Sequence, residues 1–530
     1  MSASRLREIA KIASIALLTT AASIGLASAE TQLRVAMTAA DIPATDGAPD
    51  QGYEGYRFVG YTMYDTLIEW DLTSSDKAAT LTPGLATEWK VDPANNKRWL
   101  FTLRQGVTYH DGCPFNADSA VWNFNRVLDE KAPQFSARHK AFLGFNLSEV
   151  GSVEKVDDYT IAINTKSVDS LLPYAVAEYF MISDCALTKD GNDYAKFAEH
   201  PVGSGPYVFS SMVPHQRLEL VANKTYWNAA RIPKHDRLVL IPMPEASTRA
   251  AALLSGQVDF IEAPSPDTIA QLQGAGMQIV KVPYPHNWDY QLREDAGPFK
   301  DLRVRQAANY AINRQDMVDM LQGVATPAWE RLIETQPWYG NPFKYEYDPD
   351  KAKALLTEAG CMPCKIRVAI STSGSGQMQP LPMNELVKEQ LEAVGFQVEL
   401  VTMDWNALIG VFLGGPEKSG VDAMNVSLAP IDPAQGILNF SLSKYFMPAG
   451  VNWMSYKNAD VDKWGDEALA EFDEAKRDAL LTKINEQTVL DAVELFIVHD
   501  LNPRAMSPKV KGFVQAQSWF QDLTPIVVEP

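Results

Sequence analysis

His110, Asp111 and Cys113 fall within four residues in the stretch HDGCPFNADSAVWNF, residues 110–124. A base, an orienting acid and a thiol are the parts of a nucleophilic centre. The neighbouring residues argue for construction instead. Asp111-Gly112 is a turn pair. Asn116 is placed to cap a helix, and Asp118 falls in its first turn, where negative charge is favoured. Cys113 precedes a proline and has no base beside it in sequence.

CMPC, residues 361–364, could be a redox pair, half a zinc site or a small disulfide loop. A redox C-x-x-C opens a helix, whose N-terminal field lowers the thiol pKa. Here the order is reversed: a helix ends at Gly360 and a strand begins at Lys365. A zinc site needs about four ligands, and no second cysteine pair or spaced histidine pair is present. Four cysteines permit three pairings. A Cys361–Cys364 loop is the preferred one, with Cys113 and Cys185 as the remaining bridge.

The seven histidines are scattered, and no G-x-S-x-G, H-E-x-x-H or P-loop pattern occurs. GSGPY (203–207) and STSGSG (371–376) read as turns. No catalytic residue, metal site or cofactor is expected. So little chemistry in 530 residues points to binding rather than turnover.

The first 29 residues combine Arg5, Arg7 and Lys11 with an apolar run from Ile12 to about Leu26 and the end Ala27-Ser28-Ala29. That is the pattern of a secretory signal peptide cleaved before Glu30. With no cysteine there, a lipid anchor is not expected, and the mature chain should be free in an export compartment, the periplasm. Removing three basic residues and one acidic residue leaves 44 basic against 65 acidic, a net charge of −21. Such a balance repels nucleic acid and anionic lipid. Length and composition suit a soluble protein with more than one structural unit.

Strand and helix signals alternate along the mature chain. LRVAM, KRWLFTLR, YTIAINT, LELVAN and RLVLIPM are strand candidates, and 118–128 is a helix. VPYPHNWDY (282–290) reads as an extended connector. Beyond it, Val304, Ala308, Ala311 and Ile312 mark one face of a helix. Asp348 caps another, with Pro349 at its first position. KIRVAI, a helix near 383–393 and QVELVTM form a strand–crossover–strand unit, which implies a parallel pair. Two late helices, about 459–471 and 474–493, precede the strand LFIVHDL and a tail. The fold class is α/β in two lobes. Lobe I spans 30–285 with a subdomain at about 80–210, lobe II spans 286–499, and 500–530 returns to lobe I.

The chain resembles the solute-binding proteins of ATP-driven importers for dipeptides, oligopeptides and nickel, family 5. The resemblance rests on YDTLIEWD, LTPGLATEWKV, FTLRQGVTYHDGCPFNADSAVWNF, PVGSGPYVF, LVANKTYWN, STRAAALLSGQVDFIE, FKDLRVRQAANYAINRQDMV, YDPDKAKALLTEAG, YKNADVDKWGDEAL and VKGF, in family order. It implies a periplasmic binding protein fold that closes about a hinge on a peptide or related polar solute. The partners implied are that ligand and permease subunits in the inner membrane, with the receptor a monomer. Dipeptide binders of the family place an aspartate before an Asp-Pro pair to meet the ligand's ammonium. In NVSLAPIDP that position is Ala429. Their arginine for the carboxylate falls here at Leu381 or Pro382. Losing both charge partners leaves a backbone-held peptide, an opine, a sugar conjugate or a metal chelate as expected solutes.

Placement at strand ends nominates the cleft residues. They are Asp41 and Thr45 after the first strand; Trp288, Tyr290 and Arg293 past the connector; Gln377 and Gln379 after KIRVAI; Trp405 after QVELVTM; and Asp432 after AMNVSL. The aromatics could stack on a ligand and Arg293 could pair with an acid. Trp288 and Trp405 read equally well as core. A secreted hydrolase, or a binder docking on a signalling partner, are the competing functions.

Overall fold

A computed structural model describes residues 30–144, 146–340, 343–372, 374, 376–448 and 450–530. The expected signal peptide, 1–29, lies outside the described residues.

Two large sheets carry the architecture. The first has seven strands, in the order Gln278–Val280, Arg504–Met506, Phe260–Glu262, Gln32–Met37, Arg237–Pro242, Arg217–Ala222 and Tyr207–Val213. Gln32–Met37 runs parallel to both of its neighbours. The second has six, in the order Ala325–Pro327, Glu494–Asp500, Asn287–Leu292, Ala423–Leu428, Cys364–Ser371 and Phe396–Met403. Cys364–Ser371 pairs in parallel with Phe396–Met403, joined through helix Pro380–Ala393. That is the unit which the alternation of KIRVAI, helix and QVELVTM predicts. Each sheet has its own large hydrophobic cluster, so the chain forms two α/β lobes.

The chain crosses between sheets twice. It leaves the first after Val280 and enters the second at Asn287. It leaves the second after Asp500 and re-enters the first at Arg504. Val282 N–H donates to Leu501 C=O at 3.0 Å, tying the crossings side by side. The last residues of VPYPHNWDY, expected as part of an extended connector, are instead the start of the strand Asn287–Leu292. All six residues of that strand are buried. A strand covered on both faces shows no polar–apolar alternation for the sequence to display.

A third sheet, antiparallel, holds Ala86–Asp92, Asn95–Leu103, Thr160–Thr165 and Val150–Asp157. Helix Ala117–Leu128 packs on it. The opening motif is this helix's entry. Cys113 N–H closes a turn on Asp111 Oδ1 at 2.9 Å, Gly112 takes φ +86°, and Asn116 Oδ1 accepts from Ser119 N–H at 3.1 Å. Disulfides join Cys113 to Cys185 and Cys361 to Cys364. Asp348 caps helix Pro349–Glu358 by accepting from Lys351 N–H at 2.9 Å.

GSGPY is a close approach rather than a loose turn. A Cβ on Gly203 would stand 1.9 Å from Met63 O, and one on Gly205 would stand 2.6 Å from Met63 C. Ser204 between them donates to Asp65, which also accepts from Tyr226 and Trp227. Among the described residues no helix is long and apolar enough to cross a membrane.

Candidate functional site

Strand direction decides which residues meet between the lobes. In the second sheet the register sets Asn287 opposite both Leu428 and His499, and Ser371 opposite Met403. One sheet edge therefore gathers the first crossing, the loops after Ser371 and Leu428, and the second crossing. It is the carboxyl edge of the parallel strands, where α/β folds place ligands.

At the crossings lies a buried ionic cluster. Arg57 Nη2 meets Glu54 at 2.5 Å and Glu262 at 2.7 Å, and Arg504 meets Glu262 at 2.9 Å. Tyr284 donates to Asp500 at 3.1 Å. Arg57 lies 5.1 Å from the ring centre of Trp519, whose ring stands edge-on to His286 at 5.2 Å. Burial, then the charges of His499 and Arg57, pushes His286 down to about 3, so it is neutral near pH 7. Burial raises Glu262 to about 8, against the pull of the two arginines.

Further from the crossings, side chains of both lobes close a polar seam. Tyr53 hydroxyl donates to Gln435 Oε1 at 2.8 Å. Gln435 Nε2 donates to Glu178 Oε2 at 3.2 Å, and Asn146 Nδ2 donates to the same oxygen at 2.7 Å. Asp432 Oδ1 accepts from Gln435 N–H at 2.9 Å. Glu178 and Asp432 are each 3 % exposed. Burial, joined by the charge of Asp432, raises Glu178 to about 8; burial raises Asp432 to about 6. Lobe I also bonds lobe II through Ser170, whose N–H meets Leu469 O and whose Oγ meets Ala468 O, both at 2.9 Å.

Two cavities flank this seam. One, of about 340 Å³, lies between Trp70, Trp99 and Tyr174 of lobe I and Trp338, Ile431 and Phe472 of lobe II. The other, of about 300 Å³, is lined by Asn146, Glu149 and Asp169 on one side and Asp432, Gln435 and Lys444 on the other. Both volumes sit at the lower end of small-molecule pockets, roughly 300–1,000 Å³.

The sequence-nominated residues divide into three groups. Asp432 lies in the seam and lines the second cavity. Gln377, Gln379 and Trp405 lie at the carboxyl edge. Gln377 donates to Ser427 Oγ at 2.8 Å, Gln379 precedes helix Pro380–Ala393, and the half-buried Trp405 packs on Gly374. His286, Ser371 and Gln377 each keep a buried polar atom without a hydrogen bond within the protein.

The remaining five are held elsewhere. Trp288 and Tyr290 point into the lobe II core, and Tyr290 hydroxyl donates to Asn384 at 2.5 Å. Arg293 follows the far end of its strand, where it pairs with Asp295 at 2.7 Å. Its strand runs away from the cleft edge, so the few residues past the crossing span the sheet. Asp41 pairs with His215 at 2.5 Å, and Thr45 donates to Ala198 O at 2.7 Å, both within lobe I.

Sequence reasoning missed Arg57, Glu178, Gln435, Tyr174 and Trp338. Only Glu178 left a local signal, as a lone acid inside the apolar run YAVAEYFMI, 174–182. Cys113, Asp184 and Cys185 lie close enough to hold a metal, but both sulfurs are joined in the disulfide.

Comparison with known proteins agrees with this architecture. The chain is 27% identical to heme-binding protein A of Haemophilus influenzae over 501 residues, 87% of this chain and 86% of that protein. It is 28% identical to the dipeptide-binding protein of Escherichia coli over 392 residues, 68% of this chain and 71% of that one. An ABC transporter-associated periplasmic binding protein from Helicobacter pylori, solved in complex with the peptide STSA, superposes with a TM-score of 0.79. The identity is 23%, covering 94% of this chain and 99% of that one, which speaks for a shared fold. A sequence profile described as bacterial extracellular solute-binding proteins, family 5 Middle, matches residues 80–443, more than half of the chain. The chain belongs to the bacterial extracellular solute-binding proteins of family 5.

Proposed function

We propose that this protein is the periplasmic capture component of an ATP-driven importer. It takes a peptide or related polar solute between its lobes and delivers it to permease subunits of the inner membrane. The observation that carries this reading is the seam itself. Tyr53, Asn146 and Glu178 of one lobe meet Asp432 and Gln435 of the other, with a cavity on either side. A receptor that closes about a hinge builds its site from both lobes in this way. Residues 1–29 act as a cleaved signal peptide, the mature chain is not lipid-anchored, and it works as a monomer. It binds its solute without turnover, needing no cofactor or metal.

The solute is held chiefly by backbone and neutral polar groups. Ala429 packs against the lobe I core and Leu381 is exposed at a helix start. Neither supplies the charge that a zwitterionic dipeptide would need at those places. That favours a longer peptide, and as a second reading a non-peptide solute such as an opine, a sugar conjugate or a metal chelate.

The test is native mass spectrometry of residues 30–530 purified gently from the periplasm of an expressing cell. Extra masses matching peptides are expected. One discrete non-peptide mass would replace the peptide reading with the second one. Bare protein that also gives no thermal shift with peptides, opines, sugars or chelates would overturn both.

A further inference from the structure

We infer that the 340 Å³ cavity is an aromatic chamber for a flat ring, so that this receptor prefers peptides carrying an aromatic side chain. The inference rests on the peptide reading above and names the class of peptide.

Six aromatic side chains border the chamber: Trp70, Trp89, Trp99 and Tyr174 from lobe I, Trp338 and Phe472 from lobe II. They meet across the cleft in two pairs. Trp99 and Phe472 have ring centres 5.8 Å apart at 58°, and Tyr174 and Trp338 have theirs 6.2 Å apart at 78°. Trp70 and Tyr174, on the lobe I side, are 6.0 Å apart at 41°. None of the three is a face-to-face stack, so these rings do not cover one another's faces; Trp70 stacks on Phe520 of the lobe I core at 6.3 Å and 27°. Tilted and edge-on walls suit another ring at the usual centroid separations.

The indole rings of Trp70 and Trp338 are 5 % and 4 % exposed, so they are packed as rigid walls, and Trp99 is fixed by donating its indole N–H to Asp169 O at 3.0 Å.

Arg477 at the chamber rim lies 3.1 Å from Asp478 and 3.6 Å from Glu474. Two carboxylates against one guanidinium leave the rim net negative, which makes a lysine side chain the competitor that the experiment must separate from a ring. Because both lobes supply walls, a ring seated here stabilises the closed form in particular.

The experiment uses the mature chain and four longer peptides of one length, Ala-Ala-Ala-X-Ala-Ala-Ala with X alanine, phenylalanine, tryptophan or lysine. Calorimetry measures affinity, and tryptophan emission reports on the chamber. Affinity at least 10-fold tighter for the Phe and Trp peptides than for the Ala and Lys peptides is expected, with a shift in emission. Trp338→Ala should collapse that ratio and Trp338→Phe should keep most of it, each with its melting temperature measured. Equal affinities, or the Lys peptide binding tightest, would overturn the inference and leave the peptide reading standing. No binding by any of the four would sink the peptide reading and this inference with it.

Discussion

The crossings and the seam both bury acids, and they differ in what partners those acids have. At the crossings, Glu54 and Glu262 are answered by Arg57 and Arg504. In the seam, Glu178 and Asp432 lie close to one another and, among the described residues, no cation is bonded to either; Tyr53, Asn146 and Gln435 hold the seam. A compensated cluster is costly to break in either partner, because the survivor is left charged in a poor solvent. An uncompensated pair persists by keeping a proton. The first arrangement suits the fixed part of the molecule. The second places a titratable contact between surfaces of the two lobes.

The largest effect expected is therefore at the crossings. Arg57→Ala removes the cation paired with Glu54 and leaves Glu262 with Arg504 alone, and should lower unfolding free energy by about 3–5 kcal/mol, read from urea denaturation of the mature chain. A loss below about 1 kcal/mol would mean that these ions are far better solvated than their burial implies.

The seam predicts a pH dependence of closure. Glu178 and Asp432 bind protons more tightly in the closed form than when parted in water, where about 4.3 and 3.9 are usual. Closure is then fully supported below those open-form values. The support fades as pH rises through about 6 and then about 8. The slope is at most about 1.4 kcal/mol per pH unit for each ionising group. Small-angle scattering from pH 5 to pH 9 should show the compact population falling as pH rises, and Glu178→Gln should flatten the curve. A compact population that rises with pH would refute the acid pair as a closure element.

The smallest effect serves as a control remote from both regions. Asn116→Ala removes one helix cap and should cost about 1 kcal/mol of stability. It should leave the pH profile of closure untouched. A changed profile would show that the scaffold around HDGCPFNAD is coupled to the seam.

Much of the scaffold was legible because its signals are short. The cap at Asn116, the Asp348-Pro349 helix start and the strand–helix–strand run from KIRVAI to QVELVTM each act within one element, where a few residues decide the conformation. NWDY was misread because full burial erases alternation. The site was legible only in part. Asp432, Gln377 and Trp405 follow parallel strands, so a rule about strand ends reaches them. Arg293 was placed by its nearness in sequence to a crossing, and the strand between carried it to the other side of the sheet.

By itself the sequence determined the α/β class, the family resemblance and the reading of HDGC as a turn and cap. These depend on residue type and on spacings of a few positions. Only the tertiary structure decided that Glu178 meets Gln435, and that Trp99 and Tyr174 face Phe472 and Trp338. Those partners all lie well over a hundred residues apart, and nothing local links them. They meet because the chain crosses between two sheets twice and the lobes close on each other, an arrangement set by the packing of whole lobes.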